Sequence, residues 1–387
     1  MRIALFSWET LHSIAVGGVG VHVTELAAGL TRRGHEVHVF TRQGPGQPHY
    51  SAIHGVHYHR CAFALHGNFI DEINNMCRAF VHAFNGVEDH VGPFNIVHAH
   101  DWLASNAVVW IKEGRKRKAV LTMHSTEYGR NGNKFFPGNS ARVQDHERHG
   151  TYCADRVITV SNQLKNEIKW LYELPEHKAK MIYNGVNSRD FDYHVDAGEI
   201  KRKYAIAPLD PTVLFAGRMV VQKGPDILVR AIPSVLKYYP HAKFVFAGDG
   251  HMKNDVCALA HQLGVGHALR ALGDKRGREL HDLFKACDIV AVPSRNEPFG
   301  IVILEGWSAH KPVVSTKRGG PAEFVWHGVN GLQVDDTVDS VAWGIGTLLA
   351  DLAWGRWMGV NGRAAVDAAF SWDNIAAQTE EVYASVA

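Results

Sequence analysis

Two glutamates stand eight positions apart at the ends of the segment EPFGIVILE, Glu297–Glu305. The segment follows an apolar, strand-like run, and its own apolar residues suit a buried helix whose first amides point at a ligand. Carboxylates only accept hydrogen bonds, so two of them at a helix N-terminus suit sugar hydroxyl groups with a phosphate between them. The alternative makes Glu297 a helix cap and Glu305 a surface charge; the apolar residues around Glu305 disfavour it.

Two cations follow another strand-like run. Arg218 and Lys223 come after TVLFAG and before a helix that opens with Gly224 and Pro225. An arginine forks onto two phosphate oxygens and a lysine adds a point charge, so the pair favours a diphosphate ligand. A solvated basic loop is the alternative.

A glycine-rich loop and a histidine mark strand ends in the first half of the chain. Gly17 and Gly18 open a helix whose first N–H groups suit an anion, although a structural turn explains them as well. His124 is the last residue of the run AVLTMH. It could act as an acid, as a base or as a hydrogen-bond donor to a hydroxyl group, or it could be a structural histidine. Polar residues nearby would form a wall for a sugar acceptor: His100, Asp101, Ser125, Thr126, Glu127 and Arg130.

Strand-like and helix-like segments alternate along the chain and must position these residues. The β-branched runs include RIALFS, EVHVFT, NIVHAH, AVLTMH, TVLFAG and DIVAVPS. Such alternation predicts βαβ units with parallel sheets, in which ligands bind at the carboxyl ends of the strands. The pattern breaks in a polar stretch from Asn187 to about Asp210 and then restarts. We therefore expect an α/β protein of two doubly wound domains that face each other across a cleft.

Composition narrows the class of protein. The 387 residues are too many for one ordinary core, and a formal net charge of +2 favours neither a nucleic-acid nor an anionic-membrane partner. No run approaches the roughly 20 apolar residues of a membrane span. Five scattered cysteines without a C-x-x-C pair indicate reduced thiols and a cytoplasmic protein.

Three further signals receive the plainer interpretation. His57 and His59, on one face of a predicted strand, are interpreted as solvated histidines rather than metal ligands. The D-x-D pattern at Asp190–Asp192 lies in the linker and is interpreted as a coincidence rather than a metal motif. The basic run GRKRK, Gly114–Lys118, falls between a helix and a strand, which indicates a solvated turn rather than a nucleic-acid site.

Taken together, these motifs resemble those of a retaining glycosyltransferase of the GT-B architecture, in glycosyltransferase family four. The resemblance covers nearly the whole chain and rests on an ordered set of motifs: GGVGVHVTELAAGLTRRGHEV, VHAHDW, LTMHST, YNGV, GRMVVQKG, AGDG and EPFGIVILE. It implies two Rossmann-like domains: an acceptor-binding domain at 1–187 and a nucleotide-sugar-binding domain at 188–365. The C-terminal helix at 366–387 would cross back onto the first domain.

The resemblance also assigns roles. Gly17 and Gly18 would approach the donor diphosphate, and His124 would lie near the anomeric carbon. Arg218 and Lys223 would neutralise the leaving group, and Glu305 would bind the ribose hydroxyls. Glu297 would bind the donor sugar, beside the backbone of Phe299, Gly300 and Ile301. No metal or other cofactor is implied, because cations meet the diphosphate.

The branch of the family is less sharply marked. SWETLHSIAVGGVGVHV and MHSTEYGR are most similar to glycogen-synthase-like members, which build α-1,4-glucans from a nucleotide-glucose. The K-x-G-G of bacterial glycogen synthases is missing, because Ala15 and Val16 precede the glycines. A transferase acting on a lipid or a small phosphorylated acceptor is the main alternative, ahead of a sugar-nucleotide epimerase or a non-catalytic binding protein. UDP or ADP as carrier, the linkage and the oligomeric state stay open.

Overall fold

The computed structural model describes residues 1–386, which form two compact units. Unit 1 comprises Met1–Gly129, Asn133–Asn184 and the chain from Trp372 onward, and unit 2 comprises Arg130–Gly132 and Gly185–Ser371. Each unit has its own largely parallel sheet flanked by helices, which confirms the predicted α/β class with two Rossmann-like units. The chain passes between units after Asn184 and after Ser371, where the sequence placed boundaries after 187 and 365.

Unit 1 contains an eight-stranded sheet in the order β3-β4-β2-β1-β5-β6-β7-β8. Only β3 runs antiparallel to its neighbour. The strands are β1 (Arg2–Ser7), β2 (Glu36–Arg42), β3 (Tyr50–Ile53), β4 (Val56–Cys61), β5 (Ile96–His100), β6 (Lys118–Met123), β7 (Arg156–Thr159) and β8 (Ala179–Met181). The helices are α1 (Gly18–Arg32), α2 (Phe69–Val91), α3 (Trp102–Arg115), α4 (Glu127–Arg130), α5 (Asn139–Cys153) and α6 (Asn162–Tyr172).

Unit 2 contains a six-stranded, wholly parallel sheet in the order β11-β10-β9-β12-β13-β14. Its strands are β9 (Thr212–Ala216), β10 (Lys243–Ala247), β11 (Leu269–Gly273), β12 (Ile289–Val292), β13 (Val313–Thr316) and β14 (Gly331–Val334). Its helices are α7 (Ala197–Lys203), α8 (Pro225–Leu236), α9 (Lys253–Gln262), α10 (Gly277–Ala286), α11 (Ile301–Ser308), α12 (Pro321–Phe324), α13 (Val338–Ala350) and α14 (Leu352–Ala369).

The strands that lead to the candidate residues are buried over most of their length. In β5, all five residues are buried, and in β12 all four are buried. Helices cover both faces of such a sheet, so strand sequences are continuously apolar rather than alternating. The carboxyl ends are the places where polar side chains can emerge, and the candidate residues follow these ends.

The last helix, α15 (Trp372–Ala384), packs in unit 1 against α1. Ala376 sits so close to Gly29 that a Cβ on this glycine would lie 2.9 Å from the alanine Cβ. Trp372 and Tyr383 are buried in the core of unit 1, and burial of such side chains contributes roughly 1.5–3 kcal/mol each. The helix is therefore part of the core that supports β1 and β5. Among residues 1–386, no helix combines the length and apolar character that crossing a membrane requires.

Candidate active site

In unit 2, the loops after β9 and β12 bring Lys223 and Glu297 into contact. The Lys223 Nζ atom donates to both carboxylate oxygens of Glu297, at 2.8 Å each. The Ser294 hydroxyl donates to Oε2 of the same carboxylate at 3.0 Å. Glu297 is only 3% exposed, and a buried carboxylate requires partners of this kind. Lys223 and Glu297, which belong to two separate motifs in the sequence, thus form one ion pair at the carboxyl end of the sheet.

Two glycines allow these loops to approach. Gly224 has φ 64°, and a Cβ there would lie 2.2 Å from the carbonyl oxygen of Pro293. Gly319 has φ 90°, and a Cβ there would lie 2.0 Å from the carbonyl oxygen of Glu297. Any other residue would push the backbones apart, so both glycines are required for the position of the ion pair.

Arg218 lies two residues after the last residue of β9, Ala216. Its side chain is exposed and pairs with no carboxylate of the described chain. This differs from Arg295 in the loop after β12, whose guanidinium binds Asp226 bidentately at 2.8 and 2.6 Å. Arg218 therefore presents an uncompensated charge at the sheet edge where a diphosphate was predicted.

Helix α11 begins immediately after the ion-pair loop. Gly300 precedes its first residue with φ 101°, and no side chain caps this end of the helix. The Phe299 ring is buried and lies 5.1 Å from the Phe324 ring, measured between centroids, so this side chain belongs to the core. Ligand binding at Phe299–Ile301 is consequently a role for the backbone, and it stays a prediction.

Glu305 lies in the second turn of α11 and is half-buried. Its carboxylate has no hydrogen-bond partner among the described residues, and burial among apolar neighbours raises the pKa to about 7. A carboxylate in this state gains stability when hydroxyl groups donate to its ionised form. Glu305 is thus suited to the predicted diol, and it is not the surface charge of the alternative interpretation.

In unit 1, four histidines converge behind the carboxyl ends of β5 and β6. His100 and His124 are joined by a hydrogen bond of 3.2 Å between Nδ1 of His100 and Nε2 of His124. The His22 ring packs edge-on against the His124 ring at a centroid distance of 4.6 Å, and its Nδ1 lies 2.7 Å from the Asn184 Oδ1. His98 bonds to the Tyr383 hydroxyl at 2.7 Å.

These histidines are neutral at physiological pH. Burial lowers the pKa of His124 to about 3, and it lowers the pKa values of His22, His98 and His100 well below the usual range, with further lowering by neighbouring histidines. A neutral imidazole can still donate one hydrogen bond and accept another. His124 is therefore suited to orienting a hydroxyl group rather than to supplying a positive charge.

Asp101 and Thr126 act on the backbone around His124. The Asp101 carboxylate accepts a hydrogen bond of 2.7 Å from the His124 amide, and Asp101 has a positive φ of 60°. Such a conformation is costly for a residue other than glycine, and strain of this kind is common at functional sites. Thr126 is buried, donates to Glu167 and accepts from the Gly129 amide. Both residues position the loop, and their contact with an acceptor stays a prediction.

The other acceptor-side candidates lie on the same loop and on α4. Ser125 and Glu127 are half-buried, and the Glu127 amide donates to both oxygens of the buried Glu147 at 2.9 and 3.0 Å. Arg130 ends α4 and belongs to the three residues grouped with unit 2. The carboxylate of Glu147 was not anticipated from the sequence, because its helix carries no motif.

The start of α1 already holds a carboxylate. Glu9 accepts hydrogen bonds from the amides of Val16 and Gly17, at 2.5 and 2.6 Å to its Oε2 atom. Glu9 is 6% exposed, so its carboxylate stands where an anion would meet these amides. The sequence identified the anion-binding character of Gly17 and Gly18 but not the internal acid, which lies eight residues before Gly17.

The sequence predicted no metal site, but one group of buried histidines has the spacing of metal ligands. Within residues 1–386, His22, His100 and His124 form the one group whose possible ligand atoms all lie within 4.8 Å of one another. The His100 Nδ1 atom is hydrogen-bonded to the His124 Nε2 atom, whereas the buried Nε2 atoms of His22 and His100 have no hydrogen-bond partner. The D-x-D candidate differs, because Asp192 binds the Arg363 guanidinium at 2.7 and 3.1 Å.

Two Rossmann-like units with polar clusters at the carboxyl ends of their strands are the arrangement expected of a GT-B glycosyltransferase. The family described as Glycosyltransferase Family 4 matches residues 16–190, and the family described as Glycosyl transferases group 1 matches residues 196–363. An uncharacterized glycosyltransferase of Methanocaldococcus jannaschii is 37% identical, covering 99% of this chain and 98% of that protein. The chain belongs to glycosyltransferase family four.

More distant relatives carry more specific names. A D-inositol 3-phosphate glycosyltransferase of Xylanimonas cellulosilytica is 32% identical over 95% of this chain and 91% of its own. A glycogen synthase of Mycobacterium tuberculosis is 28% identical over 99% of this chain and 94% of its own. The solved structure of a sucrose-phosphate synthase from Thermosynechococcus elongatus has the same fold, with a TM-score of 0.86, 24% identity and coverage of 99% and 98%.

Proposed function

We propose that this glycosyltransferase moves an α-glucosyl unit from UDP-glucose or ADP-glucose to a glucan-type acceptor, with retention at the anomeric carbon. The observation that carries the proposal is the Lys223–Glu297 ion pair just before the start of α11, with Arg218 exposed in the loop that also holds Lys223. It provides cations for a diphosphate and an acceptor group for sugar hydroxyls in one unit. Glu305 then takes the ribose hydroxyls.

The proposed reaction uses charge neutralisation rather than a protein nucleophile. Arg218 and Lys223 stabilise the diphosphate as its bond to the anomeric carbon breaks. The acceptor hydroxyl attacks from the same face, and a phosphate oxygen of the leaving group takes its proton. Retaining hydrolases use two facing carboxylates instead. Glu297 and Glu305 do not match that arrangement, because one lies in a loop and the other in the second turn of the helix that follows.

Neutral His124 would orient a hydroxyl of the donor sugar near the reacting carbon. Its hydrogen bond to His100 and the contact of its amide with Asp101 fix the ring and the backbone. We further propose that transfer needs no metal ion, since arginine and lysine side chains meet the diphosphate. Activity in excess EDTA tests this part of the proposal.

A small phosphorylated acceptor is the second candidate. It is favoured by the D-inositol 3-phosphate glycosyltransferase that matches 95% of this chain at 32% identity. The glucan acceptor is favoured by the glycogen synthase that matches 99% of this chain, and by the SWETLHSIAVGGVGVHV segment. Both candidates keep the same donor site and differ in the acceptor.

The test is a matrix of donors and acceptors with the purified protein. UDP-glucose and ADP-glucose are each incubated alone, with maltooligosaccharides, with glycogen and with D-inositol 3-phosphate, while nucleoside diphosphate release and product mass are measured. We expect release that depends on the glucan, chains longer by whole hexoses, and an α-configured product by NMR. Glu297→Gln should lower this transfer about 10³-fold, whereas Glu381→Gln, at an exposed glutamate of α15, should leave it intact. Transfer to inositol phosphate alone would overturn the glucan proposal.

A further inference from the structure

A cleft of about 890 Å³ lies in unit 1 at the end of the sheet opposite to the histidines. Lys118 and Arg156, the first residues of β6 and β7, line this cleft, and so does Lys178, which directly precedes β8. His124 follows the other end of β6, and six strand residues span roughly 20 Å. The cleft is therefore separate from the candidate active site of this unit. We call it the basic cleft.

The basic run GRKRK divides into two sets of side chains. Arg115 binds Asp89 at 2.7 Å, and Arg117 binds Glu88 at 2.7 Å, so both arginines are neutralised. Lys116 and Lys118 line the basic cleft instead, and neither pairs with a carboxylate in the described chain. Lys116 and Lys118 are exposed, which agrees with the solvated turn that the sequence indicated, and both border the cleft.

The other cations of the basic cleft are also poorly compensated. Lys178 donates to the carbonyl oxygen of Tyr152 at 2.5 Å, and Arg156 donates to the carbonyl oxygen of Asp155 at 3.0 Å. The Asp155 carboxylate is committed to Lys112 at 2.6 Å and to a backbone amide. Four cations, Lys116, Lys118, Arg156 and Lys178, are left against one unpaired acid of the lining, Glu113.

Two further observations describe the cations of the cleft. Lys116 caps the end of α3 in a left-handed conformation with φ 57°, and its amide donates to the carbonyl oxygen of Lys112, so the helix end fixes its backbone at the cleft. The pKa of Lys178 is lowered, first by burial and then by the positive charge of Lys112. An anion in the cleft would relieve the repulsion among these cations.

We propose that the basic cleft binds a small anion carrying two or more phosphate groups. Several lysines and an arginine around one concavity match closely spaced phosphates, and the volume lies within the range of small-molecule sites. This binding is additional to that of the sugar nucleotide.

The first experiment locates the ligand without mutation. The intact protein is labelled with an amine-acetylating reagent, with and without inorganic triphosphate, and the extent of acetylation at each lysine is measured by mass spectrometry. We expect at least a five-fold slower acetylation of Lys116, Lys118 and Lys178, with unchanged acetylation of the exposed Lys180 and Lys237 outside the cleft. Equal slowing at all five lysines, or none at the first three, would overturn the proposal.

The second experiment separates the basic cleft from the donor site, since triphosphate can bind both. Calorimetric titration of the parent protein is expected to show two binding events. Lys116→Ala/Lys118→Ala should weaken one event ten-fold or more, and Arg218→Ala should weaken only the other. The charge-matched control Lys180→Ala/Lys237→Ala should retain both.

A third arm tests the membrane explanation with vesicles of phosphatidylglycerol and phosphatidylcholine. Lysine protection by these vesicles without protection by triphosphate would replace the small anion with a lipid surface and refute the proposal. The proposal would also be refuted if Arg218→Ala lost one of the two binding events while Lys116→Ala/Lys118→Ala retained both with unchanged affinity. Neither result would affect the proposed transfer reaction, whose residues lie elsewhere.

Discussion

The two clusters at the carboxyl ends of the sheets differ in charge: the cluster in unit 2 is charged, and the cluster in unit 1 is neutral. Unit 2 holds charged groups, with Lys223 paired to Glu297 and Arg218 exposed in the loop after β9. Unit 1 holds four histidines whose burial keeps them neutral. Charge serves a diphosphate that develops negative charge as it leaves, whereas a neutral imidazole can orient a hydroxyl without competing for the anion. The difference indicates a division of work between leaving-group stabilisation and positioning.

Acid and base should affect the two clusters with opposite signs. The buried histidines have folded-state pKa values below 6.5, so the unfolded chain binds more protons between pH 6.5 and about 3, and stability falls as pH falls through this window. Glu305 has a folded-state pKa of about 7, above its unfolded value of 4.5. Its contribution to the free energy of unfolding is therefore complete below pH 4.5 and is lost as the pH rises toward 7.

The largest effect is expected where the charged cluster is broken. Glu297→Gln and Lys223→Met should each lower kcat/KM about 10³-fold, because they remove leaving-group stabilisation or the sugar-binding carboxylate. The double variant should lie within about ten-fold of either single variant, since residues that act as a unit are not additive. Steady-state kinetics of the three variants measure this.

Stability provides the control for that comparison. Lys223→Met leaves a buried carboxylate without its cation and should cost roughly 3–5 kcal/mol of unfolding free energy, while the double variant should recover most of this loss. Denaturant titration measures both. Multiplicative losses near 10⁶ in kcat/KM would show that the two side chains act independently.

The neutral cluster should give the next largest effect. His124→Ala should lower kcat about 10²-fold, and His124→Asn should lower it less, because an amide retains a hydrogen-bond donor. The parent kcat should show no inflection from this histidine between pH 5 and 8, since its pKa is about 3. An inflection near pH 6.5 that disappears in His124→Asn would mean that the histidine works as a cation. The clusters of the two units would then both be charged.

The sequence predicted the strands well because buried parallel strands are continuously apolar. RIALFS has the observed bounds of β1, and the other predicted strands differ from the structure mainly by a few terminal residues. The strand that carries His57 and His59 is β4, as predicted, whereas its hairpin partner β3 and the short β14 were not identified, because exposed or brief strands lack that signal. In the same way, the individual residues of EPFGIVILE and GRMVVQKG were recognised from their spacing after strands.

Contacts over long sequence distances could not be predicted in the same manner. Tyr383 bonds to His98 across 285 positions, and Asn184 bonds to His22 across 162, through elements that meet only in the folded unit. The pairing of Lys223 with Glu297 depends on close backbone approaches at Gly224 and Gly319. No local pattern contains these distances, so residue types were predictable and partnerships were not.

A smaller effect is expected from the protonation of Glu305. Hydroxyl groups bind its ionised form, so nucleoside diphosphate affinity should rise about ten-fold from pH 6 to pH 8 as the fraction ionised grows through a pKa of about 7. Glu305→Gln should bind more weakly at pH 8 and lose this part of the pH dependence. Calorimetry of both proteins with the same nucleotide isolates the carboxylate, because ionisation of the nucleotide is common to both. Parallel pH profiles would exclude Glu305 from the ribose site.

The smallest effect concerns the starts of α1 and α11. A carboxylate, Glu9, already occupies the amides of Val16 and Gly17, whereas no side chain caps α11. Glu9→Gln keeps an oxygen acceptor for these amides but removes the negative charge that a diphosphate must meet or displace. We expect nucleoside diphosphate to bind about three-fold more tightly, with a loss of about 1 kcal/mol in unfolding free energy from the weaker hydrogen bonds. Glu25→Gln, on the same helix, is the control. Weaker binding in Glu9→Gln would show instead that this charge holds the glycine loop in its binding conformation, and the two helix starts would then cooperate rather than differ.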